Sequence, residues 1–157
     1  MPKLTYNSAA GDLTIGGVAM NCPAWVVLNL QELWNPANVR GSDRIIPGTS
    51  GVTPYRRRAT VTTRSLQMLI SGTHDRTGAA AATSLRGLQV NVDYLIANVV
   101  VPTGTGDGTR SAVLTMPDGT TRTQSVHVLG LELGDLSQDG AWTKAVLELS
   151  IPSGRFS

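Results

Sequence analysis

The chain has 157 residues, 41% hydrophobic, which is enough apolar material for the core of one domain and predicts a single domain over 1–157. Charged residues make up 15%, against roughly 25% in an ordinary soluble domain, and the net charge is +2. No apolar run approaches the ~20 residues of a membrane span, Met1-Pro2-Lys3 opens without the apolar stretch of a secretory leader, and Cys22 is the only cysteine, which excludes an internal disulfide framework.

In chain order, residues 4–6 and 13–15 read as two short strands around a turn at 7–12. Residues 25–30 form a third strand stopped by Asn35-Pro36. From Arg40 to Pro54 nothing is periodic, and three Gly with two Pro predict a long extended loop whose reach, with the basic run after it, is about 40–58. The β-rich stretch that follows alternates Leu66, Met68 and Ile70 with Gln67 and Leu69, a half-buried strand ending at Gly72.

One helix is expected over 84–99, with Leu85, Leu88, Val92, Leu95, Ile96 and Val99 as its apolar stripe and Thr83 or Ser84 as a side-chain N-cap. Pro102 closes it, and Gly104–Gly108 reads as a loop. Residues 112–116 and 122–128 flank Pro117-Asp118-Gly119-Thr120, a hairpin signal. A further alternating stretch at 129–133 leads through the turn Ser137-Gln138-Asp139-Gly140 to Thr143, Ala145, Leu147, Leu149 and Ile151, a clean period of two. The fold class is therefore α+β and mainly β: an antiparallel sandwich or barrel flanked by one helix.

Sites for chemistry are thin. His74-Asp75 lies in a Gly/Thr-rich turn, where sequence neighbours do not orient each other as a base and its partner would. His127 sits among apolar strand residues and reads as a packed or interface histidine, and Cys22 as a small buried hydrophobe. Two histidines with scattered carboxylates offer no metal spacing, and Gly104–Gly108 follows the helix instead of opening it, unlike a phosphate-binding loop. Tyr55 with Arg56, Arg57 and Arg58 is the one basic cluster beside an aromatic, too small for sequence-specific nucleic-acid binding. Trp25, Trp34 and Trp142 read as core or subunit-contact anchors, with a ligand-stacking site as the competing reading. No enzyme, cofactor or metal is expected. Eleven of the 13 basic residues are Arg, whose planar fork suits interface ion pairs, although a GC-rich genome gives the same bias.

The long loop and the strand after it stand out: Arg40-Gly, then Arg44-Ile45-Ile46-Pro47-Gly48 and Gly51, then Tyr55-Arg56-Arg57-Arg58 and an alternating strand to Gly72. This stretch, within 25–75, resembles the related tail tube and distal tail proteins of long-tailed bacteriophages, especially siphophages of actinobacteria. The resemblance implies a β-sandwich with one helix, six copies per ring, and rings stacked into a virion tail assembled in the host cytoplasm. It implies tape-measure, terminator and distal tail proteins as partners, and DNA passing non-specifically through an acidic lumen, which in a chain of net charge +2 requires acidic residues to be segregated inward and leaves open whether Asp107, Asp118, Asp135 and Asp139 are among them. Distal proteins often carry an added C-terminal domain, for which no room follows Ile151, so the tube subunit is favoured. A distal or tail-completion protein forming one ring, and a monomeric ligand-binding sandwich, are the alternatives.

The expected subunit contact is the stretch 40–58: Arg40, Asp43 and Arg44 are charged, and Ile45 and Ile46 are two large apolar groups that Pro47 and the glycines cannot help bury. Strand alternation would send Arg56 and Arg58 to one face and Arg57, beside Tyr55, to the other, toward two different neighbours.

Overall fold

The computed structural model describes residues 4–6, 11–35, 39–40, 44–45, 52–53, 58–101, 108–154 and 156. Its strands are β1 (Asp12–Ile15), β2 (Val18–Ala19), β3 (Trp25–Val27), β4 (Val39–Arg40), β5 (Arg44–Ile45), β6 (Val52–Thr53), β7 (Arg58–Ala59), β8 (Thr62–Ser71), β9 (Arg110–Thr115), β10 (Thr121–Leu136) and β11 (Trp142–Ile151). Helix α1 (Ser84–Leu95) continues into a π turn at Ile96–Val100, so the helical stretch matches the expected 84–99.

Seven strands make one antiparallel sheet in the order β2-β1-β9-β10-β11-β8-β3. The fold is therefore mainly antiparallel β with one α-helix among the described residues, as the patterning predicts. Strict alternation on β11 buries Thr143, Ala145, Leu147, Leu149 and Ile151, and the paired β8 buries Leu66, Met68 and Ile70 on the same face. Leu13 and Ile15 of β1, Ala112 and Leu114 of β9 and Val126 of β10 join the same core, so the sheet curls around one apolar centre. The Pro117-Asp118-Gly119 turn forms as expected, with Gly119 at φ +84°, which a side chain would oppose.

Several expectations are corrected. Residues 4–6 are not a strand; Leu13's strand pairs instead with β2 through the turn at Gly16-Gly17. The strand at 25–30 ends at Val27 and passes into a 3-10 helix at Leu30–Trp34, because Asn29 turns its side chain onto β8, accepting from Gln67 N at 2.6 Å and donating to Ser65 O at 3.1 Å. The stretch 40–54 is not wholly irregular: β4 pairs with β7 and β5 with β6, two nested antiparallel pairs outside the seven-stranded sheet. Pairs two residues long leave no period for a sequence reading to detect. Residues 129–133 are not a separate strand but part of the second half of the 16-residue β10.

The helix differs in its caps and in one end of its stripe. Thr83 is the N-cap residue but makes no side-chain cap; its carbonyl accepts the first helical bond from Gly87 N at 2.9 Å. Leu88, Val92, Leu95 and Val99 are buried, while Leu85 is 61% and Ile96 38% exposed. Asn91 takes a buried place on the inner face, its Nδ2 donating to the carbonyls of Ser71 at 2.6 Å and His74 at 2.9 Å.

Candidate functional site

Helix α1 reaches the sheet through a backbone-to-backbone contact. A Cβ on Gly72 would stand 1.9 Å from Ser84 O, and one on Gly87 2.0 Å from Gly72 O, so only glycine permits this approach at either position. Asn91 ties the same helix to the loop after β8. The helix is thereby fixed over the end of β8, and what it leaves uncovered lies on β10.

Strand β10 changes partner midway. Residues Thr121 to Val126 pair with β9, whose first residue Arg110 sits opposite Val126. From His127 to Leu136 the strand pairs with β11 on its other side. Among the described residues nothing pairs with the β9-side edge over 127–136, so that edge is open.

The cross-strand register also fixes the face. Val128, Leu131, Leu133 and Leu136 stand opposite Leu149, Leu147, Ala145 and Thr143, all buried, and so share the core side of the sheet. Val128 and Leu131 pack against the core, but Leu133 is 46% and Leu136 51% exposed. These two leucines, with Leu85, Leu88 and Val92 from α1, line a groove of about 470 Å³. A core face therefore runs out beyond its helix.

Two irregularities shape this end of β10, one between Val128 and Gly130 and one between Leu133 and Leu136. At the second, the buried Thr143 hydroxyl faces the freed carbonyls of Gly134 and Asp135 at 3.1 and 3.2 Å. Asp93 lines the groove, whereas Glu132, opposite Val146 and between the core-side Leu131 and Leu133, stands on the other face of the sheet.

The residues that the sequence reading sets aside as a turn and a buried hydrophobe make structural contacts. His74 Nδ1 lies 3.1 Å from Thr73 Oγ1, while the Asp75 carboxylate accepts from Thr77 Oγ1, Thr77 N and Ala79 N at 2.7–2.9 Å. The Thr77 hydroxyl, then the backbone amides, hold the Asp75 carboxyl below its ordinary range. Burial pushes the Cys22 thiol up, which disfavours a thiolate. No three His, Cys, Asp or Glu side chains gather as a metal site among the described residues.

Trp25 is a core anchor, stacked on Tyr94 at 5.9 Å and donating through Nε1 to Ala19 O at 3.0 Å, while Arg76 sits 4.7 Å over the Tyr94 ring. Trp142 is half-buried. Trp34 differs, being 40% exposed; with Tyr6, Leu28 and Gln31 it borders a smaller groove of about 290 Å³.

Of the expected contact stretch, Arg40 and Arg58 are paired strand positions opposite each other, and Arg44 and Ile45 stand opposite Thr53 and Val52. Asp43, Ile46, Pro47, Tyr55, Arg56 and Arg57 lie outside the described residues, as does Asp107. The acidic residues considered for a lumen are not brought together, since Asp118 and Asp139 occupy the turns at opposite ends of β10 and Asp135 lies within the strand. Sequence reasoning misses the groove itself, because its leucines read as ordinary core positions. A signal is present: the alternation after the 117–120 turn runs far longer than the strand before it can pair.

No family model matches the chain, and no curated protein matches it either. Among solved structures, the chain is similar to the crystal structure of the SPP1 Dit (gp 19.1) protein, described as a paradigm of hub adsorption apparatus in Gram-positive infecting phages. The likeness has a TM-score of 0.57 at 15% identity and covers 92% of this chain but 50% of that one. The chain thus spans about half the length of that protein, and the fold is what the two share.

Proposed function

We propose that this chain is a structural subunit of a bacteriophage tail, acting by assembly and not by catalysis, and more specifically the tail tube subunit that stacks as hexameric rings around a channel for DNA. The observation that carries the reading is the uncovered core face beside the open edge of β10, on a fold similar to that of a phage tail hub protein. Leaving Leu133 and Leu136 in water forgoes about 25 cal/mol for each Å² of apolar surface that a neighbour would cover. Among the described residues the edge of β10 over 127–136 is unpaired, a template for another chain that a ring of copies would satisfy by closing on itself. The low charge content fits a surface largely hidden by neighbours. By the same resemblance its other partners are the tape-measure, terminator and distal tail proteins.

A second reading, a distal hub protein that forms one ring and does not stack, is favoured by the likeness to the SPP1 protein, itself part of a hub. Negative-stain imaging and light scattering of the purified chain separate the two. Tubes of open-ended length are expected for the tube subunit, and rings of one size for the hub. A monomer at all concentrations, binding glycans at the Trp34 and Tyr6 groove, would instead support the ligand-binding sandwich.

A further inference from the structure

We propose that Asn29 plugs the outer edge of β8, its carboxamide standing in for the next residues of β3 and keeping that edge from pairing with a second copy of the chain. The support lies in the register. Strand β3 sets Trp25 opposite Ile70, Val26 opposite Leu69 and Val27 opposite Met68. Leu28 N extends this ladder by one bond, to Gln67 O at 2.8 Å. Continued as a strand, the chain would bring Leu30 opposite Ser65, and the backbone of Leu28 and Leu30 would serve Gln67 N and Ser65 O. Instead it turns into the 3-10 helix at Leu30–Trp34, which buries Leu30 and Leu33. One side chain fills both positions left behind: Asn29 Oδ1 accepts from Gln67 N at 2.6 Å, and Asn29 Nδ2 donates to Ser65 O at 3.1 Å. A carboxamide offers the same acceptor and donor as a peptide group, so it completes the ladder without a strand.

The plug stands beside a segment prone to pairing. Thr60-Val61-Thr62-Thr63 is β-branched throughout and uncharged, and Val61 is 60% exposed. Gln67 directs its backbone groups toward the β3 side, and the unbroken β8–β11 register carries Ser65 and Thr63 the same way. No described strand pairs with that side of β8 before Met68. A strand added there would need Ser65 O and Gln67 N, the two groups that Asn29 holds. The edge of β10 over 127–136 differs, having no pairing on its β9 side among the described residues. One edge is blunted by a side chain and the other left open, which directs sheet pairing between copies to β10.

The test is residue-resolved amide hydrogen exchange on the full chain, dilute and concentrated. In the unaltered chain the Thr63 and Ser65 amides are expected to exchange equally fast at both concentrations, whatever particles form, while Gln67 stays protected. In Asn29→Ala, Gln67 should exchange about tenfold faster or more in dilute protein, and Thr63 and Ser65 should slow by a similar factor on concentration as a foreign strand takes the edge. Adding Thr63→Pro should remove that slowing and leave the β11 ladder whole, because the Thr63 N–H points away from β11. Asn29→Thr carries the same expectation should Asn29→Ala fail to fold. Slowing of Thr63 and Ser65 in the concentrated unaltered chain overturns the inference. So does exchange that concentration leaves unchanged in the folded Asn29 variant, or a slowing that survives Thr63→Pro. The inference does not depend on the assembly reading, since a chain that stays monomeric when unaltered still submits to every arm of the test.

Discussion

Asn91 shows how a single polar residue can hold a helix in place. It interrupts an apolar stripe, yet it is buried and its amide feeds the carbonyls of Ser71 and His74, two acceptors that would otherwise be stranded. Asn91→Leu should therefore destabilise the fold by about 2–3 kcal/mol in urea unfolding, because both carbonyls lose their donor; a loss under about 0.5 kcal/mol would contradict that role. Three turn carboxylates act on stability in a different way. Asp75, Asp118 and Asp139 accept first from a neighbouring hydroxyl (Thr77, Thr120 and Ser137) and then from backbone amides, and all three carboxyls are held below their ordinary range. A carboxyl lowered by folding contributes stability that is present above its unfolded pKa and lost as pH falls through its folded one. The melting temperature should accordingly drop on acidification below the ordinary carboxylate range, and the combined Asp75→Asn, Asp118→Asn and Asp139→Asn chain should show a shallower drop. Parallel pH profiles from calorimetry would refute the assignment.

At the level of the element, the helix divides into a buried part and an outlying start. Leu95 is 1% exposed and Leu85 61%, although both lie on the same periodic stripe. Leu95→Ala should cost about 2–5 kcal/mol in denaturant unfolding and Leu85→Ala less than about 0.5 kcal/mol; equal effects would mean the helix is phased differently. The Gly72–Gly87 contact makes a sharper demand. Alanine at Gly72 would put a carbon 1.9 Å from Ser84 O, so Gly72→Ala should cost more than about 3 kcal/mol or prevent folding. A near-neutral Gly72→Ala, measured by thermal melt, would rule out the close approach. The position of the helix is legible in its 3.6-residue period, and the strands β8 and β11 in their period of two. Leu85 departs from that reading because periodicity reports a face and not how far along the element its partner extends. The glycine contact leaves no periodic trace, since it depends on two residues 15 apart meeting across elements.

For the molecule as a whole, the fold class and the order of its elements are more fully legible in the sequence than the site is. The basic stretch 40–58 is visible because its composition breaks the surrounding pattern. The groove is invisible for the opposite reason: Leu133 and Leu136 continue the pattern of a core strand, and only the register with β11 and the end of β9 reveals that they stand exposed. Both features are explained together if the exposed half of β10 is a surface reserved for neighbouring copies. That claim is tested most directly by amide hydrogen exchange over 127–136, compared between dilute and assembled protein. Assembly should slow the open-edge amides by about a hundredfold or more, as a newly paired strand edge requires. Particles that form while these amides exchange as fast as in the monomer would contradict the account.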